Sequence, residues 1–540
     1  MGAKTRLYIQ TATLAFISVF FLTLSLIFEA DLWFTATLIV WFSLVIYTFS
    51  DIKRHFVFLC FMVSFFVFLL GREFCYNFMG LGRYYRYLEP YDDVTFLLLI
   101  ISMVCMFLAY RFADSHVIRR QGAWFKVYRS DEADGGSRAV RGAVGGVASV
   151  SHGCVAASDV CASDGSASNI VRTRRTASGV QTDHLTDTRA WRFRTASMVA
   201  FYFCFACSML EVYMQIRQAR GTGYLEGYMA ANASSLGVIS YFSGFTVIAL
   251  SIYLVTMPRK KWSVLALGFY EFYAVLTMLT GHRYTFIAIS MYVMVYIVYR
   301  QRIESGWISR TMVLLIIVAI PFILVLMNVI NAVRTGDVGG SGGGIIRSAV
   351  SFMDQQGGSV NCVKRVFFYH DRISDMQLTS FSNTRTVLFE NALVRKLFDV
   401  RVYTGNSVEN AFYGHYLSHR LSYLEYGNYY FLGHGTGSCY IAELYHDFGY
   451  IGVALGSLIY GYMLRRITDI GTGRFFRDGL LFATQYFIYL APRGDFDGMI
   501  YGLFNLMSIL GLIGVWALAQ MLRKKHRRAA RVDLVGDSLT

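Results

Sequence analysis

The chain has 540 residues, 55% of them hydrophobic and only 16% charged, with a net charge of +15. A soluble surface needs roughly a quarter of its residues charged, so cytosolic, secreted and disordered classes are excluded and a polytopic membrane protein remains. Nine cysteines, scattered singly or inside apolar runs, outline no disulfide framework.

A hydrocarbon core about 30 Å thick needs about 20 apolar residues per helix. In chain order the apolar runs predict transmembrane helices at 7–28, 32–50, 55–71 and 94–111, all within 1–111. The stretch from Met1 to Arg6 before the first run resembles a signal anchor with no small-residue cleavage site after it. Residues 112–193 follow, rich in Ser, Ala, Gly and Val without periodicity, and read as a disordered cytoplasmic insert. Its His152, Cys154, Cys161 and His184 are too irregularly spaced to make a convincing metal site. Five more spans are predicted within 194–330, at 195–216, 236–257, 262–280, 284–299 and 311–330. Cys204 and Cys207 form a Cys-x-x-Cys inside the fifth span and read as ordinary core cysteines.

Residues 331–437 open on a flexible hinge, Gly339 to Gly344, and then show amphipathic helical patterns at about 359–373, 386–398 and 407–426. Such helices lie along a membrane surface or cap a cavity. The last spans fall in 438–522, at 438–464, 478–491 and 499–522, before a basic tail, 523–540. The fold class is therefore an all-α polytopic membrane protein of about twelve transmembrane helices with a large extracytoplasmic loop.

Basic residues flanking short loops set the orientation. With the N-terminus inside, Lys4, Arg6, Lys53, Arg54, Arg111, Arg119, Arg120, Arg259, Lys260, Lys261, Arg300, Arg302, Arg465, Arg466 and Arg523 to Arg528 all fall on the cytoplasmic side. Of the lysines only Lys364 and Lys396 fall outside. The positive charge is then a topology signal and gives no reason to expect a nucleic-acid partner.

Arginines on the outer face are informative because the bias runs against them. Arg283 sits in the short Gly281-His282-Arg283 turn between spans seven and eight, and Arg493 in Pro492-Arg493-Gly494-Asp495-Phe496 between the last two. Arg334 leads into the long loop, and Arg217 and Arg220 leave span five. Guanidinium groups grip phosphate oxygens bidentately, so arginines at one depth could hold a lipid diphosphate; a snorkelling side chain that pins a turn is the plainer reading. Gly433-His434-Gly435-Thr436-Gly437-Ser438 is a glycine-rich turn opening a helix, with Thr436 or Ser438 as cap, and free helix-start amides bind anions. Glu443, His446 and Asp447 follow within the membrane, where ionisable groups usually face a cavity or a partner. Asp354-Gln355-Gln356-Gly357-Gly358-Ser359 offers carboxylate and amide groups suited to sugar hydroxyls, or simply a capped helix start. Neither a Gly-x-x-x-x-Gly-Lys loop nor a His-Glu-x-x-His zinc motif occurs; no metal or other cofactor is expected.

The stretch from Gly433 to Gly452, with Ser438-Cys439-Tyr440-Ile441-Ala442-Glu443 leading into Asp447-Phe448-Gly449, resembles the signature of Wzy-type O-antigen polymerases. Asp354 to Ser359, the Gly281/Arg283 turn and Pro492-Arg493-Gly494 resemble family features in family order, so the resemblance covers roughly 195–525. It implies a glycosyltransferase of the bacterial inner membrane, with both termini cytoplasmic, that needs no nucleotide. Undecaprenyl-diphosphate-linked oligosaccharide repeats would be joined on the outer face and undecaprenyl diphosphate released. On this reading Arg283, Arg334 and Arg493 hold the diphosphate with help from Ser438. Glu443, Asp447 and His434 are candidates for base or orienting group, Asp354 and Gln356 meet the sugar, and Tyr440 and Arg217 join the substrate-binding residues. Partners would be the lipid-linked oligosaccharide and the bilayer, with a chain-length regulator left open. An O-antigen ligase is the nearest alternative; a lipid-linked-oligosaccharide flippase or other transporter is a more distant one, since no internal repeat is evident.

Overall fold

The computed structural model describes residues 3–29, 31–81, 85–116, 170–222, 238–280, 283–335 and 345–536. The described elements are all helical. They are α1 (Ala3–Phe28), α2 (Leu32–Phe49), α3 (Ile52–Phe65), α4 (Gly71–Phe78), α5 (Asp92–His116), α6 (Ile170–Thr222), α7 (Val238–Gly244), α8 (Thr246–Val255), α9 (Lys260–Leu279), α10 (Arg283–Ile303) and α11 (Arg310–Thr335). A cap of short helices follows: α12 (Ile345–Gln356), α13 (Val360–Phe368), α14 (His370–Ile373), α15 (Ser382–Phe389), α16 (Ala392–Phe398), α17 (Val408–Tyr413), α18 (Leu417–Tyr426) and α19 (Asn428–Phe431). The chain ends with α20 (Tyr440–Arg466), α21 (Phe475–Leu490), α22 (Gly498–Phe504) and α23 (Leu506–Gly536).

Six described helices are long and apolar enough to cross a membrane: Leu32–Phe49, Ile52–Phe78, Arg86–Asp114, Arg189–Arg217, Tyr284–Ile303 and Leu506–Arg523. Ala12–Phe28, Ile239–Val255 and Arg310–Ile323 are shorter apolar helices at three further expected spans. The remaining three expected spans are the helices α9, α20 and α21, which are too polar or too short to pass the same test. Apolar side chains such as Phe16, Leu26, Leu314, Val318 and Phe322 stay exposed, as on a lipid-facing surface.

The expected insert lies largely outside the described residues, as do His152, Cys154, Cys161, the side chain of His184 and the 339–344 hinge. From Ile170 onward the chain is helical, well before the apolar run of the fifth span begins. Propagating a helix costs little once packing has nucleated it. Cys204 is buried and Cys207 half-buried, both as free thiols.

Two features position the centre of the molecule. The first is the packing of α20 against α5. A Cβ on Gly461 would lie 1.9 Å from the Met106 carbonyl oxygen, so only glycine lets the two backbones touch. Between them Ser102 bonds the Tyr440 hydroxyl at 2.6 Å and Ser457 at 2.8 Å. At the other end Arg465 reaches Asp114 at 2.6 Å, and Asp114 also takes Arg54 at 2.9 Å. The second feature is a break inside α20. Gly449 has φ 61° and ψ −150°, a conformation that side chains with a Cβ resist. It separates the acid-bearing first turns from the long apolar remainder.

Candidate functional site

A tight turn after α21 gathers several of the expected residues. Ala491, Pro492 and Arg493 form a single 3-10 turn, and the proline lacks the N–H that a longer helix would need. The chain then runs through Gly494, extended at φ −143°, to Asp495, Phe496 and Asp497. Arg493 Nη1 donates to Gln356 Oε1 at 3.0 Å, and its guanidinium lies 5.8 Å from the centre of the Phe68 ring. Glu443, 1% exposed, ties the same turn to α20. Its Oε2 accepts from the Phe496 N–H at 2.8 Å and its Oε1 from the Ser438 hydroxyl at 2.5 Å. The helix cap is Cys439 without a side-chain bond, so the Ser438 hydroxyl serves Glu443 and not the helix start. The Asp495 carboxyl lies within hydrogen-bonding reach of Glu443 and accepts from Asn383 Nδ2 at 2.9 Å.

The other acid of α20 is fully engaged. Asp447 accepts from the Thr379 N–H and hydroxyl on Oδ1, both at 3.0 Å, and from the Ser380 N–H and hydroxyl on Oδ2, both at 2.7 Å. Leu378, at φ 55°, takes a left-handed conformation that costs of order 1–3 kcal/mol and turns the two amides toward the carboxylate. Four hydrogen bonds make Asp447 the anchor of the 378–380 turn. Its neighbour His446 lies 3.2 Å from the Met376 carbonyl.

The remaining expected residues fall in different places. Asp354 receives Arg72 Nε on its carboxylate at 3.0 Å and on its carbonyl at 2.8 Å. His434 is exposed, its ring against Tyr426 and Tyr429, and the turn around it is held by Ser422, which accepts from Thr436 N at 2.9 Å. Tyr440 is fully buried with its hydroxyl on Ser102, inside the packing of α5 and α20. Arg217 is exposed near the end of α6, with no described contact to the 491–497 turn. Arg283 is the first residue of α10 and Arg334 the penultimate residue of α11; their side chains, the Gly281-His282 turn and the side chain of Arg220 lie outside the described residues.

Some groups in this neighbourhood were not singled out from the sequence. Asp497 accepts from Asn383 N at 3.2 Å, Asn383 Nδ2 at 3.0 Å and Thr384 N at 2.6 Å, docking the start of α15 onto the turn. A carboxylate at a helix start is electrostatically favoured. His415 bridges Glu390, at 3.3 Å, and the Thr386 hydroxyl, at 3.1 Å. Burial holds the ring below its ordinary pKa, with Glu390 opposing. His419 pairs with the Tyr430 hydroxyl at 2.7 Å, and burial lowers it too, with Asp495 opposing. Arg72 follows the third expected span and, on the expected topology, carries the same signal as Arg283; the adjacent Glu73 makes it look like half of a local pair. Among the described residues no group of three His, Cys, Asp or Glu side chains could hold a metal ion.

A sequence model of the family described as O-antigen polysaccharide polymerase Wzy matches residues 8–130 and 172–526. The interval between the two blocks falls inside the 112–193 segment. No curated protein and no solved structure matches the chain.

Proposed function

The chain belongs to the O-antigen polysaccharide polymerase Wzy family, and on that premise we propose that it joins undecaprenyl-diphosphate-linked oligosaccharide repeats on the outer face of the inner membrane. In this reading twelve helices cross the bilayer, both termini are cytoplasmic and the cap of α12 to α19 lies outside. A hydroxyl of the incoming repeat attacks the anomeric carbon of the growing chain. The bond from that carbon to the diphosphate oxygen breaks, the hydroxyl proton passes to a base, and undecaprenyl diphosphate leaves with its charge.

Because the leaving group is itself a diphosphate, stabilising its charge is the main task, and prepositioned cations do this well away from bulk water. Arg493 is the central cation of this proposal, with Arg283 and Arg334 as its companions. The supporting observation is the turn itself: Gln356 fixes the Arg493 guanidinium while Glu443 fixes the Phe496 amide three residues on. Glu443 thereby acts as a positioning residue, and Asp447 positions the 378–380 turn. His434, whose exposed ring has no hydrogen-bond partner among the described residues, is the group left to accept the proton. Asp354 and Gln356 line the sugar side, and Arg217 is a further outer cation for the lipid headgroup layer.

The test is a gel of surface polysaccharide from cells lacking the protein, complemented with the native chain or with Arg493→Ala. Without the protein the ladder collapses to a single repeat on its final acceptor, and Arg493→Ala restores no more than about a hundredth of the polymer, as expected for loss of one charge-stabilising group. Full-length chains stranded on the lipid carrier would instead mean a ligase, and repeats held on the cytoplasmic leaflet a flippase.

A further inference from the structure

We propose that Arg72, from the first third of the chain, is a second ligand of the diphosphate headgroup, facing Arg493 across the Asp354–Gly358 turn; this rests on the headgroup reading above. The argument begins with a defect in the third span. Residues Phe66–Leu70 form a π-turn between α3 and α4. Such a turn inserts one residue and swings everything after it by about 100°. Arg72, the second residue of α4, is thereby brought onto the start of the cap.

Its anchoring is one-sided. Nε donates to both the carbonyl and the carboxylate of Asp354, at 2.8 and 3.0 Å, which fixes the plane of the guanidinium. Among the described residues neither Nη nitrogen has a hydrogen-bond partner, although the side chain is only 13% exposed. A guanidinium carries five N–H donors, and neither Nη is among the buried polar atoms left without a partner, so both stay accessible to a ligand. An anion with several oxygens would complete the set through the Nη1/Nη2 edge, which the bonds from Nε to Asp354 leave open.

Arg72 packs on bare backbone. A Cβ on Gly357 would fall 2.4 Å from Arg72 N, and one on Gly358 would fall 3.2 Å from Arg72 Nη1. The paired glycines let Arg72 lie directly on this segment, its backbone against Gly357 and its guanidinium over Gly358. Gln356, one residue earlier, holds Arg493. The same five residues therefore hold two arginines, Arg72 through Asp354 and Arg493 through Gln356. Two guanidinium groups held on one short segment suit a diphosphate, with the sugar it carries beside them.

The full-length protein in nanodiscs is titrated with inorganic diphosphate and with farnesyl diphosphate, comparing the native chain, Arg72→Ala, Arg72→Gln, Arg72→Lys and Arg493→Ala. Arg72→Gln retains a donor for Asp354 but loses the fork, so it reports on binding even where Arg72→Ala folds poorly. With thermal stability unchanged, Arg72→Gln should bind both probes about ten- to a hundredfold more weakly, the range for lost charge-assisted hydrogen bonds. Arg72→Lys, with its charge but no fork, should recover part of the loss. Native affinity in Arg72→Gln alongside loss in Arg493→Ala overturns this assignment and leaves the headgroup reading standing. A loss confined to inorganic diphosphate makes this a site for free phosphate and also overturns it. No binding of either probe by the native chain removes the headgroup reading, and Arg72 with it.

Discussion

The interface of α5 with α20 and the cap between Ile345 and Phe431 are held by opposite means. The first is a close fit of backbones. Gly461 admits the Met106 carbonyl, and three hydroxyls share one polar knot at Ser102. The second is held by ion pairs, most of their charges withdrawn from water. Lys364 bridges Glu73 at 2.6 Å and Asp92 at 2.5 Å. Arg365 pairs with Glu425 at 3.0 Å, and that carboxylate also takes the Tyr87 hydroxyl at 2.5 Å. Arg420 holds Asp375 at 2.8 Å and donates to the Ala411, Phe412 and Arg372 carbonyls. Packing of apolar surface gives no orientation inside a lipid solvent, whereas a cap that must sit over one spot needs directional bonds. The difference suggests that the cap is fastened for position more than for stability.

The largest effect expected from breaking this contrast is at Lys364. Its ammonium, 5% exposed, is pulled toward neutrality by burial, but Glu73 and Asp92 outweigh that and raise its pKa. Lys364→Met would take the shared cation from two buried carboxylates, and breaking a buried pair from one side costs about 3–5 kcal/mol. Thermal unfolding in detergent should show a cooperative loss of the cap, with protease cutting within 360–430 before the spans are touched. If Lys364→Met melts with the native protein and resists protease equally, the cap is not held by its charges.

That pairing also marks where reading along the chain stops working. The apolar run at 94–111 becomes α5 with little change, and the pattern at 407–426 becomes α17 and α18, split at Gly414. These are local signals, set by periodicity within one or two turns. Glu73 and Lys364 stand 291 residues apart, and each alone looks like an ordinary outer charge. The same holds at the site. Arg493 stood out because the positive-inside bias makes an outer arginine unusual, yet its partner Gln356 is 137 positions away. Asp447 reads as a candidate base or orienting group because an ionisable residue within the membrane usually faces a cavity or a partner; the amides and hydroxyls it meets are in the 378–380 turn, 67 and 68 positions away. The extra residue of the π-turn, which aims Arg72, leaves no periodic trace in a run that is apolar on every side.

A smaller effect follows from spoiling the fit instead of the charges. Gly461→Ala places a methyl group against the Met106 carbonyl, where no rotamer relieves it, and overpacking of this kind costs about 1–3 kcal/mol. The loss should be global and should leave the order of protease cutting unchanged, since the packing of α5 on α20 lies apart from the ion pairs of the cap. A Gly461→Ala protein whose cap is released first would show that the two regions are one cooperative unit, and the distinction between them would go.

The smallest effect is a matter of acidity and acts inside the cap alone. His415 sits between the end of α15 and the start of α18, facing Glu390, Arg385 and Asp497 as well as the Ser382 backbone. Burial lowers its pKa from the usual 6.5, more than Glu390 raises it, and Arg385 adds to the lowering. The unfolded cap therefore takes up a proton that the folded cap refuses. The stabilisation is complete above about pH 6.5 and is lost as pH falls toward the lower value of the folded ring. Each pH unit within that window is worth up to about 1.4 kcal/mol for one group. Hydrogen exchange should therefore quicken by at most about tenfold per unit in Ser382–Phe389 and Leu417–Tyr426 between pH 7 and 5, while Asp92–His116 stays protected. His415→Gln, which keeps a neutral side chain able to bond both neighbours, should remove that dependence. Persistence of the acid response in His415→Gln would assign it to other groups of the cap, of which His419, lowered by the same burial, is the first to test.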